Sequence, residues 1–466
     1  MRSSRVRRIQ DSVHGLMEFR GMETLIVEVL RTREIQRLRH IRQLGLVHLV
    51  FPGGEHSRLV HSIGAAYLAV LFGRHIQEVG RDSITPFLLP DEVAIRDFAL
   101  AALFHDLGHG PLSHAWEREI IGEDYDEGNW RQGLGLPAAA GAVGGRRLKW
   151  HVLVGQALLA WPEGELHQML ESYERGMAER IGAFLLGEYH LPYLPRLLDS
   201  DIDVDRSDFL RRDSQQCGVT FGGYDLSRLI STCALGTTNE KTLVVGFDRA
   251  KSRRVVEHFL VARRAMYEAV YYHRTVRAAE GMVALFLRRL KTVVRDGQFA
   301  AFSRDRIVGP LMDMVAGKVV TLQALLSADD FALHVLVEIV AQADGADPIV
   351  VDLAKRIRTR TLFKSVPRSS EQISSFLKSP EAYPKINKAL IDSGFKEPES
   401  YLVRDHPKFS LLSKAPSEWG YFVDDSGGAA PIRDDDSFRT LSQPLPETDR
   451  LFVPEEALDA VARVIR

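Results

Sequence analysis

Apolar residues recur at three- and four-residue steps along most of this chain, a spacing that places them on one face of an α-helix. We therefore predict a mostly α-helical fold, with helices over residues 22–44, 57–79, 90–107, 154–186, 251–296 and 328–343. The second of these segments is apolar on most of its faces, so we expect it to be buried. The third opens with Pro90, Asp91 and Glu92, residues that favour a helix N-terminus. The fourth should break at residues 162–164.

Strand signals are few along the chain. The stretch KTLVVGFD, residues 241–248, predicts a short strand, which we expect to pair near residues 218–225. Residues 121–149 are rich in glycine and alanine without periodicity, which indicates a mobile insertion. We predict a helical core over residues 1–300. Residues 301–466 should form a helical and α+β region that serves oligomerisation or regulation and ends in a short helix.

Composition narrows the class of protein. The chain has 466 residues, with 60 basic and 62 acidic side chains, so its net charge does not favour nucleic acid or an anionic membrane as a partner. Two cysteines, Cys217 and Cys233, fit a reducing compartment and exclude a disulfide scaffold. The longest apolar stretches are shorter than the roughly 20 residues that span a bilayer. We therefore expect a cytoplasmic protein without membrane association.

The stretch FALAALFHDLGHGPLSH ends an apolar run with ionisable residues. His105 and Asp106 close the run, and His109 and His114 follow within ten residues of His105. Histidine and glycine are also favoured at ordinary helix C-termini, which is the plainer explanation. Three histidines and an aspartate favour a metal site more strongly, because buried ionisable groups are costly unless they are paired or bound to metal.

A metal ion needs further ligands from elsewhere in the chain. His61 is the upstream candidate, although a lone histidine on an apolar helix can also be a core residue. Carboxylates are available in the acidic stretch of residues 197–214, at Asp199, Asp201, Asp203, Asp205, Asp208 and Asp213. A calcium-binding loop is excluded there, because its sixth position is Val204 instead of glycine and its twelfth is Leu210 instead of glutamate.

Five blocks of sequence, in order, resemble the HD-domain phosphohydrolases, and most of all the SAM-and-HD-domain deoxynucleoside triphosphate (dNTP) triphosphohydrolases. The blocks are DSVHGLMEF, QRLRHIRQLGLVHLVFPGGEHSR, HSRLVHSIGAAYLA, FHDLGHGPLSH and IDVDRSDFLRRDS. The resemblance runs from about residue 8 to residue 290. It implies an HD-domain helical core, and we expect no SAM domain in this chain.

The resemblance implies a divalent metal held by His61, His105, Asp106 and Asp205. Mixed imidazole and carboxylate ligands suit Fe, Mn, Zn or Ni better than Mg. Additional Mg²⁺ can accompany the substrate phosphates. Arg58, three residues before His61 and so on the same helix face, would contact a substrate phosphate.

The resemblance also implies the remaining substrate contacts. The residues around the reacting phosphate would be His109, His114, His151 and Glu117. The phosphates and sugar would contact Arg206, Tyr271, His273, Arg274, Gln43 and Leu44. Two positions depart from the family: Val152 follows His151 where the family has glutamate, and Phe209 stands where the family often has tyrosine. The second departure removes one hydroxyl contact.

The implied reaction converts a dNTP and water into deoxynucleoside and triphosphate. His114 would protonate the leaving O5′, because an imidazole can give up a proton near neutral pH, and Glu117 would hold that imidazole. The rival readings are an HD phosphohydrolase acting on a nucleoside monophosphate, a cyclic nucleotide or guanosine tetraphosphate, and a nucleic-acid-binding regulator with an HD site.

The family further implies a homo-oligomer, a tetramer or a dimer, with a nucleotide activator bound between subunits. Gln10, Asp11 and Arg39 match the activator-binding positions. Arg31 stands where guanine-activated relatives have an aspartate. Because arginine has no acceptor for the guanine N–H groups, activation by guanine nucleotides is not expected to follow the family pattern. Arg5, Arg7 and Arg8 offer charges for phosphates, or else form a solvated basic tail.

Overall fold

The computed structural model describes residues 6–80, 88–137, 148–412, 415, 418–438 and 448–465, and the fold is mostly helical, as predicted. The helices before residue 150 are α1 Thr24–Val29, α2 Arg33–Arg37, α3 Arg58–Val79, α4 Glu92–Phe104, α5 His114–Trp116 and α6 Glu127–Gly133. The next group is α7 Trp150–Ala160, α8 Glu165–Tyr173, α9 Met177–Leu185, α10 Tyr193–Arg196, α11 Val204–Gln216, α12 Leu226–Ser231, α13 Arg249–Met266 and α14 Arg274–Arg295. The last group is α15 Gly309–Val315, α16 Leu322–Leu325, α17 Asp330–Ala341, α18 Pro348–Arg358, α19 Ser370–Leu377, α20 Ala382–Asp392 and α21 Leu458–Val464.

Three small sheets accompany the helices in the described part of the chain. The strands are β1 Val6–Asp11, β2 Gly15–Arg20, β3 Cys233–Thr237, β4 Leu243–Asp248, β5 Lys364–Ser365, β6 Val403–Asp405, β7 Tyr421–Val423, β8 Ala429–Pro431 and β9 Arg450–Val453. Strands β1 and β2 form an antiparallel hairpin, and the other sheets have the orders β3-β4-β7-β8 and β5-β9-β6. Because β4 pairs in parallel with β7, the predicted core and C-terminal regions share a sheet. The boundary between them stays a prediction.

Helix α3 lies at the centre of the fold. It packs against α4 and α11, and most of its residues are buried, as its apolar pattern predicted. By length and composition α3 could cross a membrane, but 67% of its apolar window is buried inside the protein, which is the arrangement of a core helix. The helix after it is capped by Asp91, whose side chain accepts a hydrogen bond from the backbone N–H of Ala94 at 2.8 Å.

Several expectations from the sequence were wrong in detail. Residues 22–44 form the short helices α1 and α2 with 3₁₀ turns, and 154–186 breaks a second time before α9, where Gly176 adopts a φ of 80°. Strand β4 pairs with β3 and β7 instead of residues 218–225. The hairpin β1–β2 was not predicted. In the predicted insertion, α6 is regular, and residues 138–147 lie outside the described residues.

Candidate active site and metal centre

Three helices bring four predicted ligands to one point. His61 comes from α3, His105 and Asp106 follow α4, and Asp205 lies in the first turn of α11. The Nε2 atom of His61 lies 3.0 Å from Asp205 Oδ1 and 3.3 Å from His105 Nε2. The carboxylate of Asp106 lies 3.4 Å from His105 Nε2 and 3.8 Å from His61 Nε2. Side chains from distant parts of the sequence therefore converge, as the resemblance implied.

The spacing of these donor atoms fits one transition-metal ion. Ligands about 2.1 Å from an ion lie roughly 3 Å apart at right angles and roughly 4.2 Å apart when opposite, and the donor atoms of His61, His105 and Asp205 fall in that interval. Asp106 adjoins this group, with a different oxygen facing each of the two histidines. The local charge also favours a cation. Burial lowers the pKa of His61, but the carboxylates of Asp205 and Asp208 outweigh it and raise the pKa to about 10. The pocket thus attracts positive charge, and the four side chains are candidate ligands.

Asp208 supports the metal-facing histidine from behind. Its Oδ2 atom lies 2.8 Å from Nδ1 of His61, so the opposite ring nitrogen is directed toward the other ligands. A carboxylate in this place fixes the tautomer and orientation of a metal-binding imidazole. The same carboxylate contacts His14 Nε2 at 2.7 Å and Nε of Arg212 at 2.8 Å. No role was assigned to Asp208 from the sequence, although it lies three residues after Asp205, on the same helix face.

Two features explain how Asp208 can be so deeply buried. Arg212 joins it to Asp11 of the N-terminal hairpin, with Nη1 of Arg212 2.9 Å from Asp11 Oδ2. Gly64 of α3 leaves room for the carboxylate, because a Cβ atom there would lie 1.9 Å from Asp208 Oδ1. Burial raises the pKa of Asp208, but Arg212, His14 and His61 outweigh it and hold the pKa well below its usual range.

Arg58 lies between Asp106 of the metal cluster and Ser113, the residue before His114. Its Nη1 atom is 2.5 Å from Asp106 Oδ2, and its Nε donates to Ser113 Oγ at 2.9 Å. The guanidinium is buried. It was predicted to contact a substrate phosphate, and here it is paired with a candidate metal ligand. A buried cation beside the metal cluster is well placed to stabilise an incoming phosphate.

A second cluster of histidines surrounds Glu117. Its two carboxylate oxygens lie 2.9 Å from Nδ1 of His109 and 2.9 Å from Nδ1 of His151, and the two rings stack at 4.1 Å. His114, which Glu117 was expected to hold, lies farther away at 3.7 Å with 68% of its side chain exposed. Glu117 therefore lies within ion-pair distance of His114, as expected, and closer still to His109 and His151. A Cβ on Gly108 would lie 1.9 Å from the carbonyl oxygen of His151, so only glycine permits this approach.

Hydrogen bonding assigns the protons of these rings. A carboxylate accepts, so Nδ1 of His109 and of His151 carries the proton and each Nε2 is an acceptor. Burial, with the charges of Arg58 and His151, lowers the pKa of His109 to about 3, which keeps its ring neutral. Burial also lowers the pKa of His151. Nε2 of His109 faces Asp106 Oδ1 at 3.3 Å, and a water or a cation would bridge two such acceptors.

Two predicted sugar-side residues, Tyr271 and Gln43, are linked through His56 and Asp213. The hydroxyl of Tyr271 donates to Asp213 Oδ2 at 2.7 Å, and His56 contacts Asp213 Oδ1 at 2.8 Å. The backbone N–H of Gln43 donates to the carbonyl of His56 at 3.0 Å. The ring of Phe209 lies between His61 and Tyr271, with centroids 6.4 Å and 6.3 Å away.

Comparisons with known proteins agree with this geometry. Residues 58–137, which contain His61, His105 and Asp106, match the HD domain family. The chain thus contains an HD domain over these residues. The resemblance drawn from the sequence is thereby confirmed. The phosphohydrolase from Bacteroides thetaiotaomicron shares the fold of this HD-domain chain, with a TM-score of 0.73 at 22% identity, covering 96% of this chain and 100% of that one.

Relatives by sequence include proteins with and without a named activity. The uncharacterised Bacillus subtilis protein YwfO is 28% identical over 400 residues, which are 85% of this chain and 78% of that protein. The human deoxynucleoside triphosphate triphosphohydrolase SAMHD1 is 26% identical over 370 residues, which are 77% of this chain and 54% of that protein. The HD-domain chain thus spans about half the length of this named relative.

The remaining predicted site residues are dispersed around the HD domain. The guanidinium of Arg206 donates hydrogen bonds to Asp203 and to the carbonyl of Ser200, and these intramolecular contacts would compete with a substrate phosphate. His273 caps α14, with Nδ1 accepting from the N–H of Thr275 at 3.3 Å, and Arg274 is exposed beside it. Leu44 is half-buried and packs against the hydrophobic core.

The residues predicted to bind an activator lie on and near the N-terminal hairpin. Gln10, Arg31 and Arg39 are exposed, and Nε of Arg39 donates to Gln36 Oε1 at 3.2 Å. Asp11 accepts from the N–H groups of the β1–β2 turn and pairs with Arg212, so it has a structural role in this HD-domain protein. Arg7 and Arg8 are exposed, and Arg5 lies outside the described residues.

A cavity of about 610 Å³ opens beside the histidine cluster. Its lining includes His114 and Glu117, the basic side chains of Arg118 and Lys149, and the acidic side chains of Glu123 and Asp124. Cavities of roughly 300–1,000 Å³ hold small ligands. The cavity gives the exposed imidazole of His114 access to a bound molecule of nucleotide size.

Proposed function

We propose that this protein is a metal-dependent phosphohydrolase that converts a dNTP and water into deoxynucleoside and triphosphate. One observation carries the proposal: the candidate metal cluster and the histidine cluster adjoin, with His109 and Asp106 in contact and Arg58 beside them. Candidate ligands, a cation suited to phosphate and groups suited to proton transfer are thus joined by direct side-chain contacts. The printed activity of SAMHD1 supports the dNTP as substrate.

His61, His105, Asp106 and Asp205 would hold the ion, with Fe, Mn, Zn or Ni as candidates. A bound divalent cation would lower the pKa of its water and polarise a phosphoryl oxygen. Arg58 would neutralise an oxygen of the α-phosphate, because its guanidinium is fixed by Asp106 and Ser113 before substrate arrives.

His109 and His151 would accept hydrogen bonds through Nε2 and so orient water or a protonated phosphate oxygen. Glu117 would fix both rings through their Nδ1 atoms. As the oxygen of water attacks the α-phosphorus, the bond from phosphorus to O5′ breaks and the proton that the water loses passes to the triphosphate product. His114, exposed to the cavity, would give its proton to O5′, which leaves as the deoxynucleoside hydroxyl.

Several parts of the proposal rest on the family resemblance. Tyr271, His273, Arg274, Gln43 and Leu44 would contact sugar and phosphates, with Arg206 near the phosphates. Mg²⁺ could accompany the triphosphate. We also propose that a nucleotide activator binds at Gln10 and Arg39, that the protein is a homo-oligomer, and that it is located in the cytoplasm.

The test measures products. The full chain, loaded in turn with Fe²⁺, Mn²⁺, Zn²⁺ or Ni²⁺, is incubated with each of the four dNTPs, with and without GTP, and deoxynucleoside and inorganic triphosphate are quantified. Equal amounts of both products support the proposal, and His105→Ala should abolish them. Orthophosphate or pyrophosphate would instead indicate an HD phosphohydrolase of another kind, and so would turnover confined to monophosphates, cyclic nucleotides or guanosine tetraphosphate.

A further inference from the structure

The carboxylate of Asp330 is buried where two loops of the active site meet. Asp330 is the first residue of α17, but that helix is already capped by Asp329, which accepts from the N–H of Ala332 at 2.9 Å. Asp330 itself is 6% exposed. Its Oδ1 accepts from the N–H of Leu112 at 2.8 Å, and its Oδ2 accepts from the N–H of Arg42 at 2.9 Å. Its side chain thus serves the loops instead of its own helix.

The first of these loops has an unfavourable backbone conformation. Leu112 and Ser113 both have φ of 50°, in the left-handed region that residues with a side chain seldom adopt. This turn presents Ser113 to Arg58, and His114 follows directly. Such a conformation persists only when surrounding contacts impose it, and the hydrogen bond from Leu112 to Asp330 is a contact of that kind.

The second loop leads to the same arginine. Residues 41–43 lie alongside residues 56–58, with the N–H of Gln43 3.0 Å from the carbonyl of His56 and the N–H of Arg58 2.9 Å from the carbonyl of Ile41. Arg42, whose N–H binds Asp330, lies between them. Arg58 is therefore held through its backbone by one loop and through its side chain by the other, and Asp330 binds both loops.

A buried arginine fastens the segment before Asp330 to the same region. Nε of Arg37 donates to the carbonyl of Leu325 at 3.0 Å, and Nη2 donates to the carbonyl of Ala328 at 2.8 Å. Nη1 lies 3.4 Å from the carbonyl of Leu107, in the loop that carries the candidate ligands. The start of α17 cannot move away from the active site without breaking these bonds.

We propose that Asp330 is a positioning residue of the active site. Its carboxylate holds the turn at Leu112 and Ser113 and the loop at Arg42, and so sets where Arg58 and His114 meet the substrate. The catalytic consequence rests on the proposed function, whereas the positioning itself does not. A residue of the 301–466 region thereby acts on the reaction without contacting the substrate.

The test compares Asp330→Asn with Asp329→Asn in the full chain. An asparagine at 330 accepts one of the two N–H groups and faces the other with its own N–H, whereas an asparagine at 329 still caps α17. We expect amide hydrogen exchange at Leu112 or Arg42 to rise about tenfold or more in the first variant only. In Asp330→Asn we expect kcat for dATP to fall about tenfold or more, because the positions of Arg58 and His114 change. The amount of bound metal should stay the same, and the ratio of dATP turnover to ATP turnover should change.

A second substitution distinguishes loss of positioning from a general loss of stability. Glycine adopts a φ of 50° without support, so adding Leu112→Gly to Asp330→Asn should restore several-fold of the lost kcat. Unchanged exchange, unchanged kcat, or no restoration in the double variant would overturn the proposal. Raised exchange in a protein whose unaltered form does not hydrolyse any dNTP would support the positioning role and overturn the assignment of substrate instead.

Discussion

Replacing Asp208 with asparagine should weaken metal binding without removing any candidate ligand. The carboxylate orients His61 through Nδ1 at 2.8 Å and also serves His14 and Arg212. Asparagine has nearly the same shape as aspartate, but it has one acceptor oxygen instead of two and carries no charge. It therefore cannot accept hydrogen bonds from His61, His14 and Arg212 together. The expected effect therefore acts on the orientation and basicity of His61.

The magnitude follows from the role of such supporting carboxylates. Their loss ordinarily lowers metal affinity by about 10- to 100-fold, which corresponds to roughly 1.4–2.7 kcal/mol of binding free energy. Removing one partner of a buried ion pair costs about 3–5 kcal/mol of stability. We expect less than that here, because Arg212 keeps its contact with Asp11.

The assay titrates Mn²⁺ and Zn²⁺ into metal-free protein against a competing chelator and records thermal unfolding in parallel. Asp213→Asn is the matched control. Asp213 is buried on the same helix, α11, but its partners are His56 and Tyr271 instead of a candidate metal ligand. The control should lose activity with nearly unchanged metal affinity. Equal affinities for Asp208→Asn and the unaltered protein, or equal losses in both variants, would refute the reasoning.

Three further variants test neighbouring parts of the site. His105→Ala should lose bound metal and turnover together, as elemental analysis and a product assay would show; turnover in a metal-free variant would remove the metal from the mechanism. His114→Ala should keep its metal and lower kcat by roughly 10²–10⁴, and an unaltered rate would exclude this imidazole as the acid. Gly64→Ala should displace Asp208, lowering metal affinity and costing about 1–3 kcal/mol of stability, whereas Gly73→Ala, whose Cβ would lie 3.1 Å from Ile95, should spare the metal site.

The helical framework could be predicted because its signals are local. The apolar run of α3 and the acidic cap before α4 are encoded within a few residues, and both helices were found where they were expected. Strand pairing is not local. The stretch KTLVVGFD indicated a strand, but its neighbour β7 comes from residues 421–423, and nothing near β4 encodes that contact. The hairpin β1–β2 was missed because its first strand, VRRIQD, is rich in charged residues and half of its residues are exposed.

Part of the candidate site could also be predicted from local sequence signals. The His105–Asp106 pair and His61 were recognisable from sequence patterns, and the structure brings them together with Asp205. The supporting residues were harder to choose, since six aspartates lie within residues 197–214. Helical spacing alone places Asp208 on the face of Asp205, which was a usable signal. The preference of Glu117 for His109 and His151 depends on how α7 packs, and only the fold reveals it.

The hairpin that precedes the HD domain bears on the metal centre through Asp11, Arg212, Asp208 and His61, each in contact with the next. A ligand that drew Asp11 away from Arg212 would leave Asp208 as the only carboxylate among these partners of the guanidinium, and would so weaken the support of the His61 imidazole. Linkage requires the effect to be reciprocal. Metal binding should therefore stabilise the contact between the β1–β2 hairpin and the rest of the protein. Residues 6–20 should then be cleaved by protease more slowly when metal is bound than when it is removed.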